Sequence, residues 1–106
     1  MKTILKASLM ISALTLVFSA YTFASPGADT FKAKCAACHG ATGAGDTKMG
    51  QNLKLRDLGS ADVQKQSEDE LEVIIAKGKT KMPAYGGKLT KEQIDDVVKF
   101  IRSLKK

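Results

Sequence analysis

Five consecutive residues carry most of the chemistry this chain offers: Cys35-Ala36-Ala37-Cys38-His39. The pattern C-x-x-C-H is the signature of covalent haem attachment. Each thiol adds across one haem vinyl group to form a thioether. Two intervening residues let the sulfurs reach both vinyls along one edge of the macrocycle, and the adjacent histidine then lies under the iron. Other uses of two cysteines fit less well. A redox dithiol of this spacing belongs to a βαβ context, and no strand pattern occurs nearby. Structural zinc needs four nitrogen or sulfur ligands; beyond residue 24 the chain holds two Cys and one His.

An iron held by His39 on one side needs a ligand or an opening on the other. His39 is the only histidine, so ligation by two histidines is excluded. Beyond the N-terminal segment the methionines are Met49 and Met82. Met49 follows His39 by ten residues, in or beside a glycine-rich stretch, which makes the reach around a macrocycle awkward. Met82 lies between two helical patterns in Lys81-Met82-Pro83-Ala84-Tyr85, where proline stiffens the loop. Met82 is therefore the favoured distal ligand, with Met49 or an open site as the alternatives. A methionine with no such setting would be read as core filler.

The elements that must position these residues read as helices. Strict alternation of apolar and polar residues never persists, and the expected class is all-α. A first helix is expected from within Pro26–Thr30 to about Cys35, with Ser25 or Asp29 as cap. Gly27, Phe31 and Cys35, four apart, share one face of it. Gly40 to Gly50, with four glycines in eleven residues, reads as an irregular surface loop. Leu53, Leu55 and Leu58 follow in loop or a short turn, and Ser60 heads a short helix over Ala61–Gln66. Ser67 with Glu70 fits a capping box for a helix whose apolar face is Leu71, Ile74 and Ile75 and whose stop is Lys77-Gly78. After the Met82 loop, Thr90 with Gln93 caps the last helix. Leu89 and Ile94 are set for a hydrophobic staple, and Ile94, Val97, Val98, Ile101 and Leu104 form its stripe, with Phe100 at the edge.

The N-terminal residues have a different character. Lys2 and Lys6 precede an uncharged, mostly apolar run over Ala7–Ala24, with Thr22 and Ala24 placed for a small-residue cleavage site. That layout is a secretory signal peptide over residues 1–24, leaving a domain over 25–106. The competing reading is a retained anchor, for which the run is near the lower limit of length. Removal of Lys2 and Lys6 takes the formal charge from +6 to +4. No Lys/Arg run exceeds two residues and both signs are interspersed, which argues against nucleic-acid binding. About 80 residues with three aromatic side chains make a marginal core. A large, flat, apolar cofactor would complete it.

With these residues in view, the chain resembles small class I mono-haem cytochromes c over nearly all of residues 25–106. Cys35-Ala36-Ala37-Cys38-His39-Gly40 resembles the attachment site and Met82-Pro83 the distal loop. Gly27 and Phe31, with Val97, Phe100 and Ile101, resemble the pair of faces where first and last helices cross. The resemblance implies three to five short helices wrapped around one covalent haem c. Cys35 and Cys38 would be its thioethers, with His39 the proximal and Met82 the distal iron ligand. One departure stands out. Where the family often has Gly-Pro-x-Leu, this chain has Gly50-Gln51-Asn52-Leu53. The Gln51 carbonyl is then expected to accept the hydrogen bond of the ligand histidine.

Histidine and methionine ligation raises the reduction potential and fills the coordination sphere, so the expectation is a monomeric electron carrier and not an enzyme. It would work between redox partners in respiratory or photosynthetic electron transport, in the periplasm or an equivalent exported lumen. Membrane contact would come only through membrane-bound redox complexes or an uncleaved N-terminal segment. The alternatives are a dedicated subunit of a dehydrogenase or oxidase complex and, with an open distal site, a haem enzyme or gas sensor. Lys77, Lys79, Lys81 and Lys88 flank the Met82 loop, with Lys34 and Lys48 on the attachment side, and suit docking to acidic partner surfaces. Solvated charge is the plainer reading of any single one. Arg56 and Tyr85 are candidate propionate contacts.

Overall fold

The computed structural model describes residues 25–106. The expected signal peptide over 1–24 lies outside them. The described residues form α1 (Pro26–Lys34), α2 (Ala36–His39), α3 (Lys48–Asn52), α4 (Ala61–Gln64), α5 (Glu68–Lys77) and α6 (Lys91–Ser103). Periodicity marks four of these; the short α2 and α3 are added to them. Among the described residues no helix is long and apolar enough to cross a membrane.

The crossing of α1 and α6 organises the molecule. Gly27 lies so close to α6 that a Cβ there would overlap the Asp96 carbonyl oxygen. One turn on, Phe31 is 1% exposed and its ring meets that of Phe100 at 4.9 Å between centroids, tilted by 48°, within the range that favours aromatic pairs. Val97, Val98 and Ile101 complete the buried face of α6. The α6 start follows from local chemistry. Thr90 accepts from the Gln93 amide at 3.1 Å and Gln93 accepts in return from the Thr90 amide at 2.9 Å. Leu89 and Ile94, expected as a staple, are both buried.

Leu71 and Ile75 of α5 pack into the same core, while Ile74, expected beside them, is half-buried. Ser67 accepts from the Glu70 amide at 3.1 Å, and Gly78 ends the helix at φ 76°. The 57–66 segment is sewn to α6 by side chains. Gln64 donates to the carbonyls of Leu58 and Ile101, and Arg102 donates to those of Gln64 and Gln66. Arg102 therefore satisfies carbonyls that the short α4 cannot pair internally.

Candidate functional site

Cys35 closes α1, its amide bonding back to the Phe31 carbonyl at 2.8 Å, and Cys38 and His39 lie on the single turn of α2. The chain between thiol and imidazole is thus a tight turn continuous with the helix that crosses α6. Gly40 leaves this turn at φ 82° and the glycine loop folds back beneath it. The Gly45 amide donates to the His39 carbonyl at 2.7 Å.

Lys48–Gly50, expected within the irregular loop, instead open α3. Thr47 caps it, accepting from the Gly50 amide at 2.9 Å, and the same hydroxyl donates to the Cys38 carbonyl at 2.7 Å. A Cβ on Gly50 would sit 2.5 Å from the Gly45 carbonyl oxygen and 2.6 Å from that of Cys38. Only glycine permits this approach. Gly50 therefore supports the site, and so does Thr47, which sequence reading did not single out. A threonine directly before a helical turn is an N-cap signal, but its partner in the attachment turn is a tertiary contact.

The two thiols are unbridged. Burial, with Cys38 as a second cause, pushes the Cys35 thiol up to about 11, so it stays protonated at neutral pH and is a poor nucleophile for disulfide exchange. His39 is half-buried, and burial lowers its pKa. Its imidazole is therefore neutral at pH 7, with a ring nitrogen lone pair available to a metal. Nδ1 is enclosed and makes no hydrogen bond. The Gln51 carbonyl, expected to accept from it, is engaged elsewhere: it accepts the amides of Leu53 and Lys54 where α3 ends.

Met82 follows α5 on a tight turn. Its amide donates to the Lys79 carbonyl at 2.9 Å and its carbonyl accepts from the Lys79 amide at 3.2 Å. Thr80 lies at φ 55°, and a side chain on Gly78 would collide with the Met82 carbonyl. Met82 is half-buried and packed on the core, whereas Met49 is 52% exposed. The next segment pairs with the end of α5, the amides of Tyr85 and Gly86 donating to Ile75 and Ala76 at 2.9 Å. Tyr85 then reaches back to α1: its hydroxyl donates to the Lys34 carbonyl at 3.0 Å. Burial, then the Cys35 and Cys38 charges, raises its pKa. Its hydroxyl, a candidate propionate contact, is thus paired with main chain. Arg56, the other candidate, reaches Gln66 Oε1 at 3.4 Å.

The donor set fits a covalent haem. An unpartnered, half-buried imidazole sits on one turn with two unbridged thiols, its ring 6.3 Å from that of Phe31. Leu53, Leu55 and Ile74 remain partly exposed, while Phe31, Leu71 and Ile75 are buried. Lys77, Lys79, Lys81 and Lys88 are exposed and free of ion pairs among the described residues, with Lys88 Nζ 5.6 Å from the centre of the Tyr85 ring.

Comparison with known proteins agrees. The family model described as cytochrome c oxidase, cbb3-type, subunit III, matches residues 23–101. A cytochrome c6 from Synechococcus sp. is 35% identical over 105 residues, covering 92% of this chain and 91% of its own. One from Nostoc sp. is 38% identical over 97 residues, covering 86% and 82%. Among solved structures, the KustC0563 c-type cytochrome superposes with a TM-score of 0.70 at 30% identity, covering 76% of this chain and 98% of that one. Cytochrome c6 from the diatom Phaeodactylum tricornutum gives 0.59 at 27%, covering 74% and 88%. The chain belongs to this family: it is a small mono-haem c-type cytochrome with the cytochrome c fold, an electron carrier that takes haem c.

Proposed function

We propose that Cys35 and Cys38 carry the haem as thioethers, that His39 and Met82 ligate its iron from opposite sides, and that the protein shuttles single electrons in an exported compartment. When bound, haem supplies an iron that gains or loses one electron. The two cysteines fix the edge of the group to the α1–α2 junction. Thr47 and Gly50 hold that junction from below, so the imidazole keeps one orientation. Met82 offers a neutral thioether, which favours the less charged oxidation state. Phe31, Leu71 and Ile75 keep water away and act in the same direction, because charge is costly in low dielectric. With both ligands held by main-chain bonds, little rearrangement accompanies electron transfer.

The observation that carries this reading is the neutral, unpartnered His39 imidazole on one turn with two unbridged thiols. The half-buried position of Met82 supports it over Met49. Export is supported by the pattern of residues 1–24. The unpaired lysines around the Met82 loop support docking of a monomer to acidic surfaces of redox partners, steered at long range and weakened by salt.

A visible spectrum of the purified holoprotein in both oxidation states tests the ligand set. Pigment that survives acid–acetone extraction and a weak sulfur-to-iron band in the oxidised form are expected. Extractable pigment would refute the thioethers, and loss of the band would refute Met82. The family description favours one further reading, a dedicated subunit of an oxidase complex. Stable co-purification with such an enzyme would establish it over a diffusing carrier.

A further inference from the structure

The Met82 loop is held unequally on its two sides. Toward α5 it makes main-chain bonds, from Tyr85 to Ile75 and from Gly86 to Ala76. Toward α1 and the attachment turn, one hydrogen bond joins it among the described residues: Tyr85 hydroxyl to Lys34 carbonyl, 3.0 Å, across 51 residues of sequence. The acceptor is suited to the task. Lys34 is the last residue of α1, where carbonyls lack an intrahelical partner, and it directly precedes Cys35. The donor is suited too, since the Tyr85 ring packs on the core and its own carbonyl accepts the amides of Lys88 and Leu89. A rigid aromatic side chain thus ties the segment carrying Met82 to the residue beside the first cysteine.

We infer that Tyr85 is a positioning residue: its phenol is a strap that holds the Met82 loop closed against the attachment turn and sets how readily Met82 leaves the iron. The inference rests on Met82 ligation. A loop released at this point stays tethered to α5, so the expected failure is local opening on the methionine side without unfolding.

The test uses the holoprotein and imidazole, which binds ferric iron only when Met82 has left. Its apparent affinity is scaled by the fraction of molecules with the loop open. Tyr85→Phe keeps the ring and deletes the hydroxyl. Loss of one such bond is expected to raise that fraction, and the imidazole affinity with it, by about two- to tenfold. The sulfur-to-iron band should persist without imidazole. Asp57→Asn, which removes the Asp57–Lys106 contact at the C-terminus and touches no hydrogen bond of the 79–88 loop, controls for general destabilisation and should leave the affinity at the parental value. If Tyr85→Phe binds imidazole no more tightly than the parent, the strap is refuted while Met82 ligation stands. The strap is refuted equally if Asp57→Asn shifts the affinity as much as Tyr85→Phe does. If the parent itself lacks the sulfur-to-iron band, Met82 ligation and the strap fall together.

Discussion

Replacing Thr47 by valine removes one oxygen that does two things. It accepts the Gly50 amide at the start of α3 and donates to the Cys38 carbonyl of the attachment turn. Loss of a side-chain N-cap costs about 0.5–2 kcal/mol. Loss of the second bond, which leaves a carbonyl unpaired in a partly buried place, costs about 1 kcal/mol more. Valine keeps the branched shape, so little packing is lost to confuse the result. The sum, about 1.5–3 kcal/mol, corresponds to a melting temperature lower by roughly 6–24 °C for a domain of this size. The assay is thermal unfolding of the holoprotein followed by circular dichroism and by the visible spectrum. Thr47→Ser, which keeps the oxygen, should recover most of the loss. A valine variant melting within ~3 °C of the parent would refute the assignment of Thr47 as the clamp beneath the haem-binding turn.

Met82→Ala should lower the reduction potential and open the iron; rapid carbon monoxide binding to the reduced variant, slow or absent in the parent, checks it by flash or stopped-flow spectroscopy. Gly27→Ala gains up to ~1 kcal/mol of helix propensity but forces α1 off the Asp96 carbonyl, and a net loss of about 2 kcal/mol in denaturant unfolding is expected. Asp57 is held below the usual carboxylate range by its hydrogen bonds from Lys106 and the Gly59 amide. Its stabilisation is therefore complete above the unfolded carboxylate pKa of about 4 and is lost as pH falls through the lower folded value. Asp57→Asn should flatten that acid limb in melts taken across pH. Glu72 has the opposite sign: the neighbouring Asp95 carboxyl, then partial desolvation and the Asp69 charge, raise its pKa. Glu72→Gln should stabilise at neutral pH and lose its advantage as pH falls through the raised value.

What could be read from sequence was what local chemistry decides. The α6 start, with Thr90 and Gln93 three apart and Leu89 and Ile94 flanking them, involves only near neighbours and folds as its pattern says. The attachment motif is equally local. Spacing put Gly27 and Phe31 on one face, their place at the helix crossing came from resemblance, and the structure supplies the reason: a glycine where two helix backbones meet. In the structure the Gln51 carbonyl takes a main-chain partner, and the cause is physical. The Gln51 amide donates to the Thr47 carbonyl at 2.9 Å, a bond that proline cannot make. Glutamine at this place therefore lets residues 48–52 close into a helical turn, and its carbonyl accepts the Lys54 amide where that turn ends. Thr47, Gln64 and Arg102 escaped notice because their partners lie 9 to 38 residues away, beyond any periodicity.

The two sides of the iron site are secured by different physics. On the histidine side the constraint is dense and short in sequence: residues 35–50 hold one another through main-chain bonds, one hydroxyl and glycine contacts that admit no added atom. Nothing there can move without breaking several bonds together. On the methionine side the loop hangs from the end of α5 and meets α1 through a single exposed phenol hydroxyl. Opening it breaks that one bond toward α1 and lifts the Met82 and Tyr85 side chains off the core, a local opening that costs less than global unfolding. If His39 and Met82 ligate the iron as proposed, the distal ligand is expected to leave first under alkali, heat or a competing ligand, while the histidine and the thioethers stay in place.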